Sequence, residues 1–227
     1  MRPLSPEQLI EFAAECLGEL RQEVTFLGGA VVGLLVTDPA ARPPRPTKDV
    51  DVAVEVGGKI EYYDLDQRLL RLGFSNVIGG PVCRYSHGPL ILDVMPTDAG
   101  VLGFSNRWYP AAMATSQNHL LRSGLVIRLI TPPYFLATKF EAFDSPTRED
   151  HGDMFVSRDF EDLITVLDGR DDISSLIHCA DSVVHDYLKS RFRLLTENPS
   201  FEIGVQAHVD DGRTGRVVAR IKAIING

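Results

Sequence analysis

Lys48-Asp49-Val50-Asp51-Val52-Ala53-Val54-Glu55-Val56 reads as a strand whose two faces differ in kind. Side chains alternate along an extended chain, so Val50, Val52, Val54 and Val56 line one face while Asp49, Asp51, Ala53 and Glu55 line the other. The two aspartates therefore point the same way. Two carboxylates a few ångströms apart repel by roughly 3 kcal/mol at an effective dielectric of about 20, so the pair calls for a cation. Carboxylate oxygens suit Mg²⁺ or Mn²⁺.

Asp-x-Asp alone is a weak signal, because it also occurs in phosphatases with an aspartate nucleophile and in metal-dependent glycosyltransferases. In those classes the apolar strand precedes the aspartates. Here Pro43, Pro44 and Pro46 precede them and the valines follow, which places Asp49 and Asp51 at the start of the strand. Upstream, Phe26-Leu27-Gly28-Gly29-Ala30 runs into Val31, Val32, Leu34 and Leu35, a glycine turn opening a short apolar helix. Glycines at such a turn let backbone N–H groups approach a phosphate. Downstream, Pro89-Leu90-Ile91-Leu92-Asp93-Val94-Met95 is a second strand, and Asp93 offers a third carboxylate.

In this order, these segments resemble the nucleotidyltransferase superfamily that shares its core with DNA polymerase β, and more closely the AbiEii-type nucleotidyltransferase toxins. The likeness rests on Gly28-Gly29, Thr47-Lys48-Asp49-Val50-Asp51-Val52 and Leu92-Asp93-Val94-Met95-Pro96-Thr97. It continues in Thr131-Pro132-Pro133-Tyr134-Phe135-Leu136-Ala137-Thr138-Lys139 and Arg158-Asp159-Phe160-Glu161-Asp162-Leu163, so it spans roughly residues 26 to 170. It implies an α/β (α+β) nucleotidyltransferase fold, a mixed sheet flanked by helices, with a helical C-terminal subdomain. Residues 1–130 would form the core with the metal site. Residues 131–227 would form the helical region that contributes nucleotide-binding residues.

The same resemblance implies an activity: attack by an acceptor hydroxyl on the α-phosphorus of a nucleoside triphosphate such as ATP, with pyrophosphate leaving. Asp49, Asp51 and Asp93 would hold Mg²⁺ or Mn²⁺, two ions about 4 Å apart in the general two-metal scheme. Gly28, Gly29, Thr47, Lys48 and Lys139 would hold the triphosphate, and Asp159 would position Lys139 or the incoming hydroxyl. One position departs from the family pattern. Gly29 stands where a serine often follows the first glycine, so that hydroxyl contact must come from backbone or from Thr47.

With 227 residues, 44% hydrophobic and 24% charged, the chain can bury a sizeable core in one domain or two small ones. No apolar run approaches the ~20 residues of a membrane span, and the N-terminus lacks a signal-peptide core, so a cytoplasmic protein with no membrane partner is expected. Cys16, Cys83 and Cys179 are widely spaced and odd in number, which argues for buried thiols rather than disulfides or a zinc cluster.

A net charge of −8 disfavours an extensive nucleic-acid footprint. Two local basic clusters remain, Arg42-Pro43-Pro44-Arg45-Pro46-Thr47-Lys48 and Lys189-Ser190-Arg191-Phe192-Arg193. The first leads into the aspartates. Three readings stay open: a toxin-like enzyme acting on an RNA end and paired with an antitoxin protein, a transferase for a small hydroxylated molecule as in antibiotic-modifying relatives, and a silent nucleotide- or partner-binding module.

Along the chain, Ser5-Pro6-Glu7-Gln8 begins a helix with a capping box and a proline in its first turn. Leu65, Leu69, Leu70 and Leu72 fit a helix ending at Gly73, with strands expected near 74 to 78, 82 to 86 and 89 to 95. The segment Arg107 to Ser123 reads as helical in its second half and leads to a strand at Leu125 to Ile130. Thr131 and Ser157 are positioned to cap helices. Lys139 falls two turns into the first, either a phosphate ligand or an ordinary surface lysine. Asp159 and Asp162 open the second, where the helix dipole alone favours acidic residues. Residues 144 to 156, with Arg148, Asp150, His151 and Asp153, read as a solvated loop. From Asp171 the texture is helical. Spacing from Ile173 to Leu188 follows a helix and sets His178 and His185 two turns apart, a packing arrangement rather than a metal pair. Two short helices near 201 to 209 and 213 to 225 complete the chain.

Overall fold

A computed structural model describes residues 4–150 and 152–227, so His151 lies outside the described residues. The chain divides into two compact units, the first combining the residues up to Val31 with Pro46–Thr131 and the second combining Val32–Arg45 with Pro132–Gly227.

The first unit is built on a mixed sheet. Its strands are β1 (Val24–Leu27), β2 (Asp49–Val54), β3 (Ser75–Asn76), β4 (Arg84–His87), β5 (Leu90–Pro96), β6 (Gln117–Leu120) and β7 (Val126–Leu129), in the order β3-β4-β5-β2-β1-β7-β6. Central β2 runs antiparallel to β1 and parallel to β5. Its valines Val50 and Val52 are fully buried, as the alternation requires, while Asp49 and Asp51 stay partly accessible. Strands β4 and β5 form a hairpin, and Gly88 turns it with a left-handed φ of 55° between His87 and Leu90.

Helix α1 (Pro6–Leu17) packs on β2 and β5 through Leu9, Ile10, Ala13, Ala14 and Leu17. Its start follows the sequence: the Ser5 hydroxyl accepts from the Gln8 N–H at 3.2 Å and the Gln8 side chain accepts from the Ser5 N–H at 2.9 Å. A capping box of this kind satisfies two otherwise orphaned N–H groups. Helix α3 (Lys59–Arg71) follows β2, and short helix α4 (Ala99–Leu102) packs on α3 and β5. Helix α5 (Tyr109–Ala114) packs on β1 and β2.

The segment Arg107 to Ser123 differs from its expected form. Its helix lies in the first half, and the second half is edge strand β6, antiparallel to β7. The turn decides this: Leu121 N–H donates to the Leu125 carbonyl at 2.8 Å across Gly124, whose φ of 86° suits a hairpin and would break a helix. Arg128 on β7 donates to the Met113 carbonyl at 2.6 Å and so ties the end of α5 to the strand.

The second unit is helical, made of α2 (Val32–Leu35), α6 (Pro132–Phe143), α7 (Arg158–Gly169), α8 (Ile173–His178), α9 (Ser182–Thr196), α10 (Phe201–Gln206) and α11 (Thr214–Asn226). Helix α6 packs against α7, α8 and α9, with Phe140 edge-on to Phe192 at 4.9 Å between centroids. The 32–45 segment is bonded to the C-terminal helices. Thr37 and Asp38 N–H groups donate to the Gly169 carbonyl at 2.9 and 3.0 Å, and Arg213 bridges Asp38 and Asp168. A side chain at Gly169 would meet Val36 at 2.7 Å, so this close approach needs glycine.

The run from Ile173 to Leu188 is two helices rather than one. Asp181 breaks it by capping α9, its carboxylate accepting from the Val183 N–H at 2.8 Å. The break brings the His178 and His185 rings to 5.7 Å between centroids, in a tilted packing contact. All three cysteines are free thiols, but the expected burial holds at Cys83, not at half-buried Cys16 or at Cys179, which is exposed just past the end of α8. No helix among the described residues is long and apolar enough to cross a membrane.

Candidate functional site

The parallel register of β2 and β5 sets Asp51 directly beside Asp93, and strand alternation puts Asp49 on the same face. Asp51 also lies opposite Leu27 of β1, the residue before the glycine turn. Gly28 adopts a φ of 75°, and a Cβ built there would lie 1.9 Å from Asp51 Oδ2. Its bare Cα therefore makes room for the Asp51 carboxylate. Gly29 is buried in the 3-10 turn Gly29–Val31 that follows. Thr47 donates its hydroxyl to Asp49 Oδ1 at 2.7 Å, while neighbouring Lys48 is exposed.

A fourth side chain completes this cluster. Arg84 on β4 lies opposite Asp93 in the hairpin and forms a bidentate pair with it, Nε to Oδ1 at 2.8 Å and a terminal nitrogen to Oδ2 at 2.6 Å. The same terminal nitrogen is 3.7 Å from Asp49 Oδ2. Asp93 is 8% exposed, and a carboxylate so enclosed needs a counter-charge. Asp93 first, then Asp49, holds the Arg84 guanidinium well above its ordinary pKa against some burial. Sequence reasoning did not single out Arg84. The signal was present: a hairpin turning at Gly88 pairs His87 with Leu90 and so sets Arg84 opposite Asp93.

Among the described residues, no group of three or more His, Cys, Asp or Glu side chains is gathered to hold a metal ion. At this face Arg84 engages two of the carboxylates, and Asp51 is seated against Gly28. The donor chemistry still fits a hard divalent cation: three aspartates share one sheet face, two of them register neighbours. Such an ion has to share or displace the Arg84 guanidinium.

The second unit carries its own charged cluster. Lys139 on α6 is 7% exposed, and its Nζ lies 2.9 Å from Asp159 Oδ1 and 2.7 Å from Asp162 Oδ2, both on α7. Arg45 makes a bidentate contact with Asp162 at 3.0 and 3.1 Å, and Arg148 reaches Asp159 at 3.0 Å. Lys139 is thus not a surface lysine, and the 144 to 156 loop contributes Arg148 to its network. Burial pulls the Lys139 pKa down, but Asp162 and Asp159 more than reverse this and leave it raised. Burial pushes Asp159 up, and Lys139 with Arg148 more than offsets that, leaving it below the ordinary carboxylate value. Ser157 caps α7 as its position suggested, its hydroxyl accepting from the Phe160 N–H at 3.4 Å.

No protein-family model matches the chain, and no curated protein matches it significantly. Among solved structures it is similar to the crystal structure of an antigenic nucleotidyltransferase-like protein from Paracoccidioides brasiliensis, with 18% sequence identity and a TM-score of 0.52. That match covers 92% of this chain and 97% of the other, so the likeness extends over nearly the whole fold.

Proposed function

We propose that the chain is a metal-dependent nucleotidyltransferase that moves a nucleoside monophosphate from a nucleoside triphosphate to an acceptor hydroxyl. The observation that carries this reading is the placement of Asp51 and Asp93 as register neighbours, with Asp49 on the same face and the Gly28 turn packed against Asp51. Asp49, Asp51 and Asp93 would hold Mg²⁺ or Mn²⁺. Once bound, such ions supply charge neutralisation for the triphosphate and for the oxygens exchanged at phosphorus.

The remaining work falls to the chain's own groups and is mainly positioning. Gly28 gives its space to the Asp51 carboxylate, and the N–H groups of the Gly28–Gly29 turn would be the backbone donors for a phosphate. Lys48 is exposed and next in sequence to Asp49, suited to an anionic ligand as a mobile point charge. Thr47 orients Asp49 through its hydroxyl. The resemblance that implies this activity also points to an RNA end as acceptor, with an antitoxin as partner, and the small-molecule acceptor is its rival.

A silent binding module is the second reading, and Arg84 favours it: a guanidinium across Asp93 and Asp49 is a cation already in place. Incubating the protein with each labelled nucleoside triphosphate, Mg²⁺ or Mn²⁺ and total RNA or a panel of hydroxylated small molecules separates these readings. Metal-dependent label transfer lost in Asp51→Asn supports the enzyme and identifies its acceptor class. Nucleotide binding without transfer to any acceptor supports the silent module.

A further inference from the structure

Arg84 occupies a position that a purely structural ion pair does not require. A cross-strand pair with Asp93 alone would fasten β4 to β5, yet the backbone ladder already does so from Arg84 to His87. The guanidinium instead extends over two of the three carboxylates, with its short contacts to Asp93 and a looser 3.7 Å contact to Asp49. Its side chain is 34% exposed, whereas that of Asp93 is 12% exposed. The cation can leave into water; the carboxylate cannot follow. An enclosed carboxylate beside two others favours a cation next to it, and with no metal bound Arg84 is that cation. A divalent ion brings twice the charge of a guanidinium to the same oxygens.

From this geometry, and resting on the transferase reading above, we propose that Arg84 is an exchangeable counter-ion of the carboxylate site. It holds Asp93 and Asp49 while no metal is bound, and a divalent cation that takes those oxygens displaces it. Two consequences follow. The metal-free protein keeps its carboxylates together without the strain of like charges, and a lone metal ion binds weakly because it must first expel the guanidinium. Arg84 is in this sense a positioning residue that sets metal affinity.

The test is Mn²⁺ binding by electron paramagnetic resonance on the full chain, comparing wild type with Arg84→Gln and Arg84→Lys. The expected result is a dissociation constant at least tenfold tighter for Arg84→Gln, with Arg84→Lys intermediate because a lysine carries the charge but not the bidentate fork. If Arg84→Gln does not fold, the Lys variant and a wild-type measurement still decide. In the wild type, the side-chain ¹⁵N resonance of the Arg84 Nε–H should be protected without metal and lost on titration with Mg²⁺. Equal or weaker Mn²⁺ binding by the variants, or a resonance unmoved at saturating Mg²⁺, overturns the exchange while leaving the metal site standing. Absence of Mn²⁺ binding at millimolar concentration in wild type and variants alike overturns both the exchange and the metal-dependent transferase reading.

Discussion

The carboxylate of Asp51 lies where the Cβ of any other residue at position 28 would have to be, 1.9 Å from it. The glycine turn and the first acidic strand are thereby coupled: the Asp51 carboxylate fills the space that the missing side chain leaves, and the turn's left-handed φ of 75° itself favours glycine. Gly28→Ala should cost about 1–3 kcal/mol of stability for the backbone conformation alone. It should also move Asp51 and weaken Mn²⁺ binding more than tenfold. Thermal melting with a parallel Mn²⁺ titration checks both, and unchanged metal affinity in a folded variant would separate the turn from the site.

Arg84 changes what carboxylate substitutions should do. Repulsion alone predicts that removing a charge leaves the metal-free protein as stable or more so. With the guanidinium in place, Asp93→Asn breaks a bidentate, half-buried pair and should destabilise by about 1–2 kcal/mol. Asp49→Asn keeps that pair and loses only the longer 3.7 Å contact, so its effect should stay within about 0.5 kcal/mol. Melting both variants in chelator tests the ranking. A larger loss for Asp49→Asn than for Asp93→Asn would contradict it.

Lys139 illustrates how far the sequence carries the site. The motif around it, and the acidic pair Asp159 and Asp162, are visible in the sequence, as are the caps at Ser5 and Ser157 and the alternation of β2. Each rests on neighbours in sequence, where periodicity and hydrogen-bond reach are enough. What is not visible depends on partners distant in sequence: the enclosure of Lys139 between two carboxylates of α7, and the grouping of residues 32–45 with the C-terminal helices. The edge strand β6 was obscured for another reason. Gln117, Asn118 and Leu120 are exposed, so no apolar alternation marks it, and only pairing with β7 makes it a strand.

Enclosure alters the meaning of a substitution at Lys139. Lys139→Ala leaves two enclosed carboxylates with Arg45 and Arg148 as their cations among the described residues, and a broken buried pair typically costs about 3–5 kcal/mol. Those remaining arginines place the expectation near the lower end. Chemical denaturation of wild type and variant measures it. Calorimetric titration of the folded variant with each nucleoside triphosphate then tests the phosphate role separately, since a phosphate contact by Lys139 would compete with its ion pairs to Asp159 and Asp162. A variant as stable as wild type would mean that the ion pairs contribute little.

The same network sets a pH dependence. Asp159 is lowered in the folded protein, so its contribution is fully present above the unfolded carboxylate value of about 3.9 and is lost as pH falls through the lower folded value. Lys139 is raised, so its contribution is full below about pH 10.4 and is lost only as pH rises beyond that. Between about pH 5 and 9 the stability difference between wild type and Asp159→Asn should therefore be flat, and below about pH 4 it should shrink. Urea denaturation across that range measures the difference directly. A gap that persists undiminished to pH 3 would show that Asp159 stabilises by packing rather than by charge.

The acceptor is where the basic stretch before the aspartates becomes testable. Arg42 and Lys48 are exposed, whereas Arg45 donates from Nε and one terminal nitrogen to Asp162 and its side chain is 17% exposed. Three cations that look alike in sequence should therefore behave differently. If an RNA end is the acceptor, removing Arg42 and Lys48 together should lower RNA affinity and reduce the salt slope by about two counterions. Arg45→Ala should instead lower stability, because it leaves enclosed Asp162 with Lys139 alone, and should change the salt slope of the folded protein little. Filter binding over a salt series, with wild type, the double variant and Arg45→Ala compared at matched folded fraction, reads both effects. Salt-independent or undetectable RNA binding by the wild type would remove the RNA acceptor and leave the small hydroxylated molecule, which the net charge of −8 suits better.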